Sequence, residues 1–339
     1  MSNRCMKLLM SIIEKGRFLA LMCVLLGCLA IQAADDLITQ QITIKLDKAG
    51  TLPNKISDTK KYKIANLKVI GEINGTDVRL IRDMAGGGFN LDNGTDGKLK
   101  MLDLSEARFV KGGDCFGYYI RDDKTFYVYA DTDDKVPDLC LANCHLSSIV
   151  LPANITSIGD GAFGYCDITT LKIPDSVTII EGCAFTGTRL TELDIPQSVV
   201  KIGMSAFQQC ISLSSISLPS SITYMGAYIF QGCSSLSSVY VSWKTPFPVD
   251  WSTFMDVDKQ KCTLYVPKDT FQDYWLADVW GDFENIVEYD VTGIDKVTTS
   301  TDAKEISRYS VNGQRLSAPA KGLNIVKYSD GSVKKVAVQ

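Results

Sequence analysis

Apolar and polar positions between Leu146 and Val241 repeat with a fixed period. A phrase of alternating apolar and polar residues ends each time in a proline, and successive prolines are 22, 22 and 23 residues apart: Pro152, Pro174, Pro196 and Pro219. An Ala-Phe pair recurs in step, with Ile229-Phe230 in the fourth copy. A fixed period of this length predicts a solenoid in which each unit buries its apolar side against its neighbours. The predicted fold class is therefore a mainly β repeat solenoid.

The alternation within each phrase divides the side chains between core and surface. In Leu171-Lys172-Ile173, Leu171 and Ile173 point inward and Lys172 outward, because successive side chains of a strand face opposite sides. Pro174 ends the strand, since proline offers no donor to the ladder. We call the outward positions the front row and expect them to offer a flat, lightly charged ribbon to an extended partner: Ser148, Val150, Thr170, Lys172, Glu192, Asp194, Ser215, Ser217, Ser238 and Tyr240.

Other positions of the unit are expected to serve the core. The phenylalanine of each Ala-Phe pair should fill the interior of its unit. Glycines at 159, 203 and 226 follow the second apolar segment, where a tight corner suits a residue without a Cβ atom.

Residues 111–138 interrupt the period. They combine aromatic residues with a group of aspartates, and the pattern predicts a β-hairpin that projects from the array. Insertions in repeat proteins map to loops that can carry binding residues, so Tyr118, Tyr119 and Tyr127 are candidate partner-binding residues. The aspartates could attract Ca²⁺, but they lack an EF-hand spacing, and no metal site is predicted.

The regions outside the regular copies predict caps and an appended module. Residues 35–98 are expected to cap the N-terminal end, and residues 99–241 form the array. Residues 242–290 are expected to form a degenerate last repeat and a C-terminal cap, and they contain all four tryptophans. These could stack on sugars, although large aromatics more often close a core. A Thr/Ser-rich linker, 291–304, then leads to a small β-meander at 305–339 with Asn-Gly and Asp-Gly turns.

The first 34 residues have the features of a signal peptide. Basic residues precede an apolar run of 14 residues, Phe18 to Ile31, which is shorter than the ~20 needed to span a bilayer. Cleavage could follow Ala33. Alternatively, Leu25-Leu26-Gly27-Cys28 resembles a lipobox, which would place a lipid anchor on Cys28. Both alternatives predict an exported protein that is secreted or associated with the outer membrane or cell surface.

Charge and cysteine usage narrow the partner classes. The formal net charge is −4, so the chain lacks the cationic field that nucleic acid would require. Membrane contact is expected only through the lipid anchor. Of the eleven cysteines, Cys144, Cys166, Cys210 and Cys233 share one repeat position. This register predicts a ladder of free, buried thiols; a disulfide between Cys140 and Cys144 is the open alternative nearby.

Chemistry-bearing motifs are scarce. The single histidine, His145, would have to serve any Ser-His or Cys-His device. With Cys140 and Cys144 it would make a zinc site of only three ligands. Phosphate-binding glycine loops and HExxH motifs are absent from the sequence, so we predict no enzyme and no cofactor. A glycosidase, which needs only two carboxylates, is the enzymatic alternative.

Two resemblances sharpen this picture. The phrase Leu-x-x-Ile-x-Leu-Pro-x-x-Val-x-x-Ile-Gly-x-x-Ala-Phe-x-x-Cys, over about Leu99 to Val241, resembles the BspA-like leucine-rich repeat of bacterial surface proteins. That resemblance implies a leucine-rich-repeat solenoid, export, and adhesion-type binding of host or bacterial surface proteins or glycans. The segments Val311–Leu316 and Lys321–Lys327 resemble C-terminal sorting domains of the Bacteroidetes type IX secretion pathway, which implies outer-membrane transport or surface attachment. A passive structural spacer remains the alternative function.

Overall fold

The computed structural model describes residues 37–91, 93–291, 305–310, 315–328 and 333–338. The predicted signal segment, Cys28 and nearly the whole linker lie outside the described residues. Within the described residues, no helix is both long and apolar enough to cross a membrane.

The N-terminal region is a cap that shares its sheet with the array. Its elements are β1 (Ile42–Lys45), α1 (Asp58–Lys61), β2 (Asn66–Ile73), α2 (Gly75–Met84), β3 (Met101–Asp103) and β4 (Ala107–Phe109), with a 3₁₀ turn at Leu52–Asn54. Strand β2 runs parallel to β1, and it pairs with β3 through its first half and with β4 through its second. Helix α2 begins with a capping box between Asn74 and Asp77.

One buried arginine joins this cap to the first repeat. Arg82, near the end of α2, is only 1% exposed. Its Nη1 atom donates to the carbonyl oxygens of Leu139, Cys140 and Ala142 at 2.9, 3.2 and 3.1 Å, and its Nη2 atom donates to Gly88 at 3.3 Å. The guanidinium therefore holds the loop at the start of the array against the cap through backbone carbonyls.

The residues expected as a projecting insert form a β-hairpin that is partly built into the cap. Strand β5 (Gly112–Arg121) pairs antiparallel with β6 (Lys124–Ala130). Phe116 is fully buried, and residues 89–91 bond along the outer edge of β5. The expectation of a freely projecting hairpin is therefore wrong for its base, and only the distal part stands out from the surface.

The array itself consists of short parallel strands. In chain order they are β7 (Lys135–Val136), β8 (Ser148–Val150), β9 (Ser157–Ile158), β10 (Ile179–Ile180), β11 (Glu192–Asp194), β12 (Lys201–Ile202), β13 (Ser215–Leu218), β14 (Tyr224–Met225), β15 (Ser238–Val241), β16 (Thr263–Pro267) and β17 (Asn285–Tyr289). The array resumes at Lys135, before the expected end of the insert at 138.

These strands build two sheets along the array. The front sheet continues the cap in the order β1-β2-β3-β8 and resumes as β11-β13-β15-β16-β17; the second sheet has the order β14-β12-β10-β9-β7. Every pairing within them is parallel, and the second sheet advances by one repeat per strand, as in Ser157↔Ile179 and Ile179↔Lys201. The core lies between the two sheets and the Ala-Phe turns.

A column of phenylalanine rings runs through that core. Phe163, Phe185, Phe207, Phe230 and Phe254 are all fully buried. Successive rings stack with centroids 5.3, 5.4, 5.5 and 5.5 Å apart. The inward orientation expected for the repeated phenylalanines is confirmed, and the column extends one unit beyond the regular copies.

The cysteine ladder has the expected form. Cys144, Cys166, Cys210 and Cys233 are buried with free thiols, and Cys140 is free as well, so the alternative Cys140–Cys144 disulfide is wrong. In the copy that has threonine at this position, the Thr188 hydroxyl lies 3.3 Å from the Cys210 sulfur.

The repeated glycines serve close approach between rungs. A Cβ atom added at Gly203 would lie 2.4 Å from the backbone nitrogen of Gly182, and one at Gly226 would lie 2.5 Å from that of Met204. The backbone of one rung therefore packs directly on the next at these corners, which explains why a side chain is missing there.

The C-terminal cap and the module complete the described chain. Helix α3 (Phe271–Leu276) and a 3₁₀ turn at Trp280–Asp282 follow β16. Trp243 and Trp280 are buried, which is a core-closing role, whereas Trp251 and Trp275 are 66% and 51% exposed. The module contains β18 (Glu305–Ser310), β19 (Arg315–Leu316), β20 (Gly322–Tyr328) and β21 (Val333–Val338).

The order of the module strands corrects one expectation. They form an antiparallel sheet in the order β19-β18-β20-β21. Strand β18 therefore lies between β19 and β20, whereas a simple meander would keep the strands in chain order. The predicted turns Asn312-Gly313 and Asp330-Gly331 lie outside the described residues.

Candidate functional site

The front row is aligned along the front sheet by the strand register. Ser148 lies opposite Thr170 through an isolated bridge, and Asp194, Ser217 and Tyr240 follow one another on successive strands. Strand neighbours continue the row on both sides of the regular copies, to Met101 and Asp103 before it and to Thr263, Tyr265, Asn285 and Val287 after it. The surface is thus longer than the sequence indicated, because the capping strands are too degenerate to show the repeat.

The front sheet is interrupted in the middle of the front row. The segment Leu171-Lys172-Ile173, expected as a strand, makes only the Thr170 bridge beside it. Within the described chain, the backbone groups of these three residues bond to neither neighbouring rung. The expectation of a regular strand here is wrong, and the interruption leaves backbone donors and acceptors available.

A groove follows this interruption across the front sheet. It has a volume of about 1070 Å³ and is bordered by turn residues such as Asp175 and Gln197, which follow the repeat prolines. Eight of the ten front-row residues line it: Ser148, Val150, Thr170, Lys172, Glu192, Asp194, Ser217 and Tyr240. Ser215 and Ser238 do not line the groove and are half-buried in the same strands.

The charges of the groove are not engaged within the protein. Among the described residues, Lys172, Glu192 and Asp194 are exposed and form no ion pair within 4.0 Å. On the capping strands, by contrast, the Lys68 ammonium lies 3.4 Å from Asp103 and 2.7 Å from Glu106. Uncommitted charges are therefore found where the groove is, and they are free to pair with a bound molecule.

An aromatic cluster closes the C-terminal end of the groove. The Tyr240 ring stacks on Tyr265 with centroids 4.3 Å apart, and Tyr289 packs edge-on against Tyr240 at 5.8 Å. Burial, followed by the neighbouring Tyr265, raises the pKa of Tyr240 to about 12. Tyr240 therefore keeps its hydroxyl proton at neutral pH and presents it, with one ring edge, at the end of the groove.

The hairpin tyrosines lie apart from the groove. Tyr118 is half-buried and packs edge-on against Phe89 at 5.4 Å, and its ring is 6.1 Å from that of Tyr127. The Arg79 guanidinium lies 4.2 Å from the Phe89 ring centre. Tyr119 stacks on Phe126 on the opposite face of the hairpin. Phe89 and Arg79 gave no sequence signal, since they join the tyrosines only through contacts distant in sequence.

The residues weighed for catalysis are engaged in structural roles. The His145 Nδ1 atom lies 3.0 Å from Asp167, which also accepts from Arg189 at 3.0 Å. Burial raises the pKa values of the Cys140 and Cys144 thiols, so neither forms the thiolate that nucleophilic chemistry or zinc binding requires. Groups of metal-binding side chains do not come together anywhere in the described ranges.

Comparison with known proteins agrees with this geometry. Residues 134–254 match the sequence model of the BspA type leucine rich repeat region, in six copies. No curated protein matches the chain. The match and the parallel rungs confirm the predicted leucine-rich-repeat solenoid, and the repeat array is of the BspA type.

Three solved structures are similar at low sequence identity. A leucine-rich repeat protein from Bacteroides ovatus ATCC 8483 is 16% identical over 56% of this chain and 52% of that one, with a TM-score of 0.34. The pneumococcal vaccine antigen PcpA is 16% identical over 67% and 69%, with a TM-score of 0.37. A leucine rich cell surface protein from Faecalibacterium prausnitzii A2-165 is 19% identical over 62% and 67%, with a TM-score of 0.29. The chain spans about half the length of the Bacteroides ovatus protein.

Proposed function

We propose that this chain, with its BspA-type leucine-rich repeat region, is an exported, non-enzymatic protein that binds surface proteins or glycans of the host or of other bacteria. The groove along the front row is the observation that supports this proposal. It collects exposed charges, short polar side chains and an aromatic end in one continuous surface. A surface of this kind suits binding better than it suits a passive spacer, which needs no groove.

The dimensions of the groove favour an extended ligand. Four rung spacings separate Ser148 from Ser238, and parallel strands lie about 4.8 Å apart, so the floor is about 19 Å long. An extended peptide covers that length with about six residues. Lys172, Glu192 and Asp194 offer both charge signs, and the unbonded backbone at 171–173 offers hydrogen bonds. An extended chain with alternating polar groups would use all of these.

The location and anchoring of the protein are part of the same proposal. An apolar leader and the lipobox-like Leu25-Leu26-Gly27-Cys28 support export, with anchoring through Cys28 as one route. The C-terminal sheet, β18 to β21, would serve as a sorting or attachment module. Either arrangement would place the groove outside the cell, where an adhesion partner is found.

The proposal is tested with an array of glycans and matrix proteins probed with residues 35–339. The test variant exchanges two groove charges, Lys172→Glu with Glu192→Lys. We expect it to lose at least tenfold in affinity, which is about 1.4 kcal/mol. The matched control, Lys201→Glu with Glu181→Lys, exchanges an ion pair on the second sheet whose atoms are 3.2 Å apart. This control should bind as the unmodified protein does.

Three results would contradict the proposal. Absence of binding to every arrayed molecule would support the spacer. Undiminished binding by the groove variant would move the site to the hairpin tyrosines. Degradation of an arrayed glycan by the purified protein would support the glycan-active enzyme.

A further inference from the structure

The hairpin carries a strand edge that no other segment covers. Strand β6 pairs with β5 alone, in a sheet of two strands. The outer edge of β5 is covered, since Tyr118 donates its N–H to Phe89 and accepts at its C=O from the N–H of Leu91. Across the described residues, no backbone bond of this kind covers the outer edge of β6.

The register shows which backbone groups point outward from β6. Tyr118 and Tyr127 are opposite one another. Because the backbone groups of Tyr118 point away from β6, the two residues form a non-hydrogen-bonded pair, and the N–H and C=O of Tyr127 point away from β5. The pattern alternates along an antiparallel strand, so Thr125 and Tyr129 point their groups the same way. The turn agrees, since Asp122 and Asp123 have φ values of 50° and 58°, which a two-residue type I′ turn requires.

This edge lacks the features that usually prevent strand pairing. Edge strands are commonly protected by charges, proline or bulges that twist them away. From residue 124 to 130 the only charge is that of Lys124, at the end, and proline is absent. Phe126, Tyr127 and Tyr129 are 40%, 58% and 51% exposed. The segment thus combines open hydrogen-bonding groups with exposed aromatic area.

We propose that β6 pairs antiparallel with β6 of a second copy of this chain, around a two-fold axis at Tyr127. Seven residues, 124 to 130, then overlap along their full length. Tyr127 faces itself, and Thr125 faces Tyr129 of the other copy, an aromatic and β-branched pair that favours sheets. These three residues exchange about six backbone hydrogen bonds in all.

Charge and aromatic contacts support a second copy as the occupant. Within the overlap, Lys124 lies opposite Ala130 of the other copy and beside its Asp131, so no like charges face each other inside the strands. The ring row Phe89–Tyr118–Tyr127 would continue into the same row of the partner. The two hairpins would form one four-stranded sheet with a shared aromatic face.

The buried area sets the expected strength of this contact. Half-exposed aromatic side chains contribute roughly 100 Å² each. Four exposed apolar residues per hairpin, with Ile120 at 58% exposure, would bury roughly 800 Å² over both copies. This lies below the 1,200 Å² or so of a standard stable interface. The dimer should therefore be weak and concentration-dependent.

The test is sedimentation velocity of residues 35–339 from about 10 µM to about 1 mM, the range in which interfaces of this size dissociate. The unmodified protein should shift from monomer to dimer across this range. Tyr127→Lys and Tyr127→Glu should each weaken the dimer at least tenfold, since each places two like charges opposite one another. An equal mixture of the two variants should restore a dimer containing one copy of each.

The control is Tyr165→Lys, which changes a tyrosine that is 63% exposed and lies in the repeat array. It should dimerise as the unmodified protein does, and circular dichroism should show all variants folded. A monomer at the highest concentration would overturn the proposal, as would a dimer that survives Tyr127→Lys. Failure of the mixture to restore the dimer would overturn the two-fold axis at Tyr127. Loss of the dimer in Tyr165→Lys would show that added charge alone separates the copies.

Discussion

The phenylalanine column gives the most direct test of the fold. Phe207 is fully buried and stacks on two neighbours, Phe185 and Phe230. Phe163 is equally buried but has one ring neighbour, Phe185, among the stacked rings. Replacing each by alanine removes the same atoms from two similar environments. The difference between the two variants therefore isolates the second ring contact.

The magnitudes follow from burial and stacking. Removing a buried phenylalanine side chain costs about 3 to 5 kcal/mol, and each aromatic pair contributes about 0.5 to 1.5 kcal/mol beyond its area. We expect Phe207→Ala to cost about 4 to 5 kcal/mol and Phe163→Ala to cost about 1 kcal/mol less. Domains are typically stable by about 5 to 15 kcal/mol, so the central variant would lose a large share of its stability.

Urea denaturation with two signals measures these effects. All four tryptophans lie between 243 and 280, so their fluorescence reports the C-terminal end, whereas circular dichroism reports every rung. Because each repeat contacts only its neighbours, Phe207→Ala should lower both midpoints and separate the two transitions. Unchanged midpoints, or a larger effect of Phe163→Ala, would refute the inward, stacked assignment.

Two further predictions concern a corner glycine and a buried tyrosine. Gly203→Ala should cost about 1 to 3 kcal/mol because the added methyl meets backbone, and thermal melting should show no such loss for Gly164→Ala, whose methyl meets nothing closer than 3.4 Å. The pKa of Tyr240 rises from 10.0 to about 12 on folding, so its contribution to stability is full below pH 10 and is lost as the pH rises toward 12. Tyr240→Phe should therefore reduce the loss of melting temperature across that pH window; an identical loss in both proteins would contradict the assignment.

The repeat array was predictable from sequence because its information is local and periodic. Proline spacing, strand alternation and the Ala-Phe step each identify the same rung, and eight of ten front-row residues line one groove. What the sequence concealed depends on contacts between distant segments. The Arg82 contacts reach across more than fifty residues to Leu139, and Arg79 joins the aromatic row only through Phe89.

The interruption of the front sheet was also beyond the sequence. Leu171-Lys172-Ile173 has the same alternation as the other phrases, yet it forms no regular ladder with Glu192. Alternation identifies which side chains turn inward, and Ile173 is indeed buried, but it does not fix backbone pairing between rungs. The groove arises from that unmade pairing, and for this reason its position became visible only in the structure.

The constant step of the array has an evolutionary consequence. Since Ile179 pairs with Ser157 on one side and Lys201 on the other, each 22 residues away, any rung can be followed by any other. Duplication or loss of one whole unit in the gene would leave the ring column, the thiol positions and the corner glycines in register. A change of one residue more or less would turn inward side chains outward. The lineage of this protein can therefore lengthen or shorten its binding surface in whole units while the two caps remain as they are.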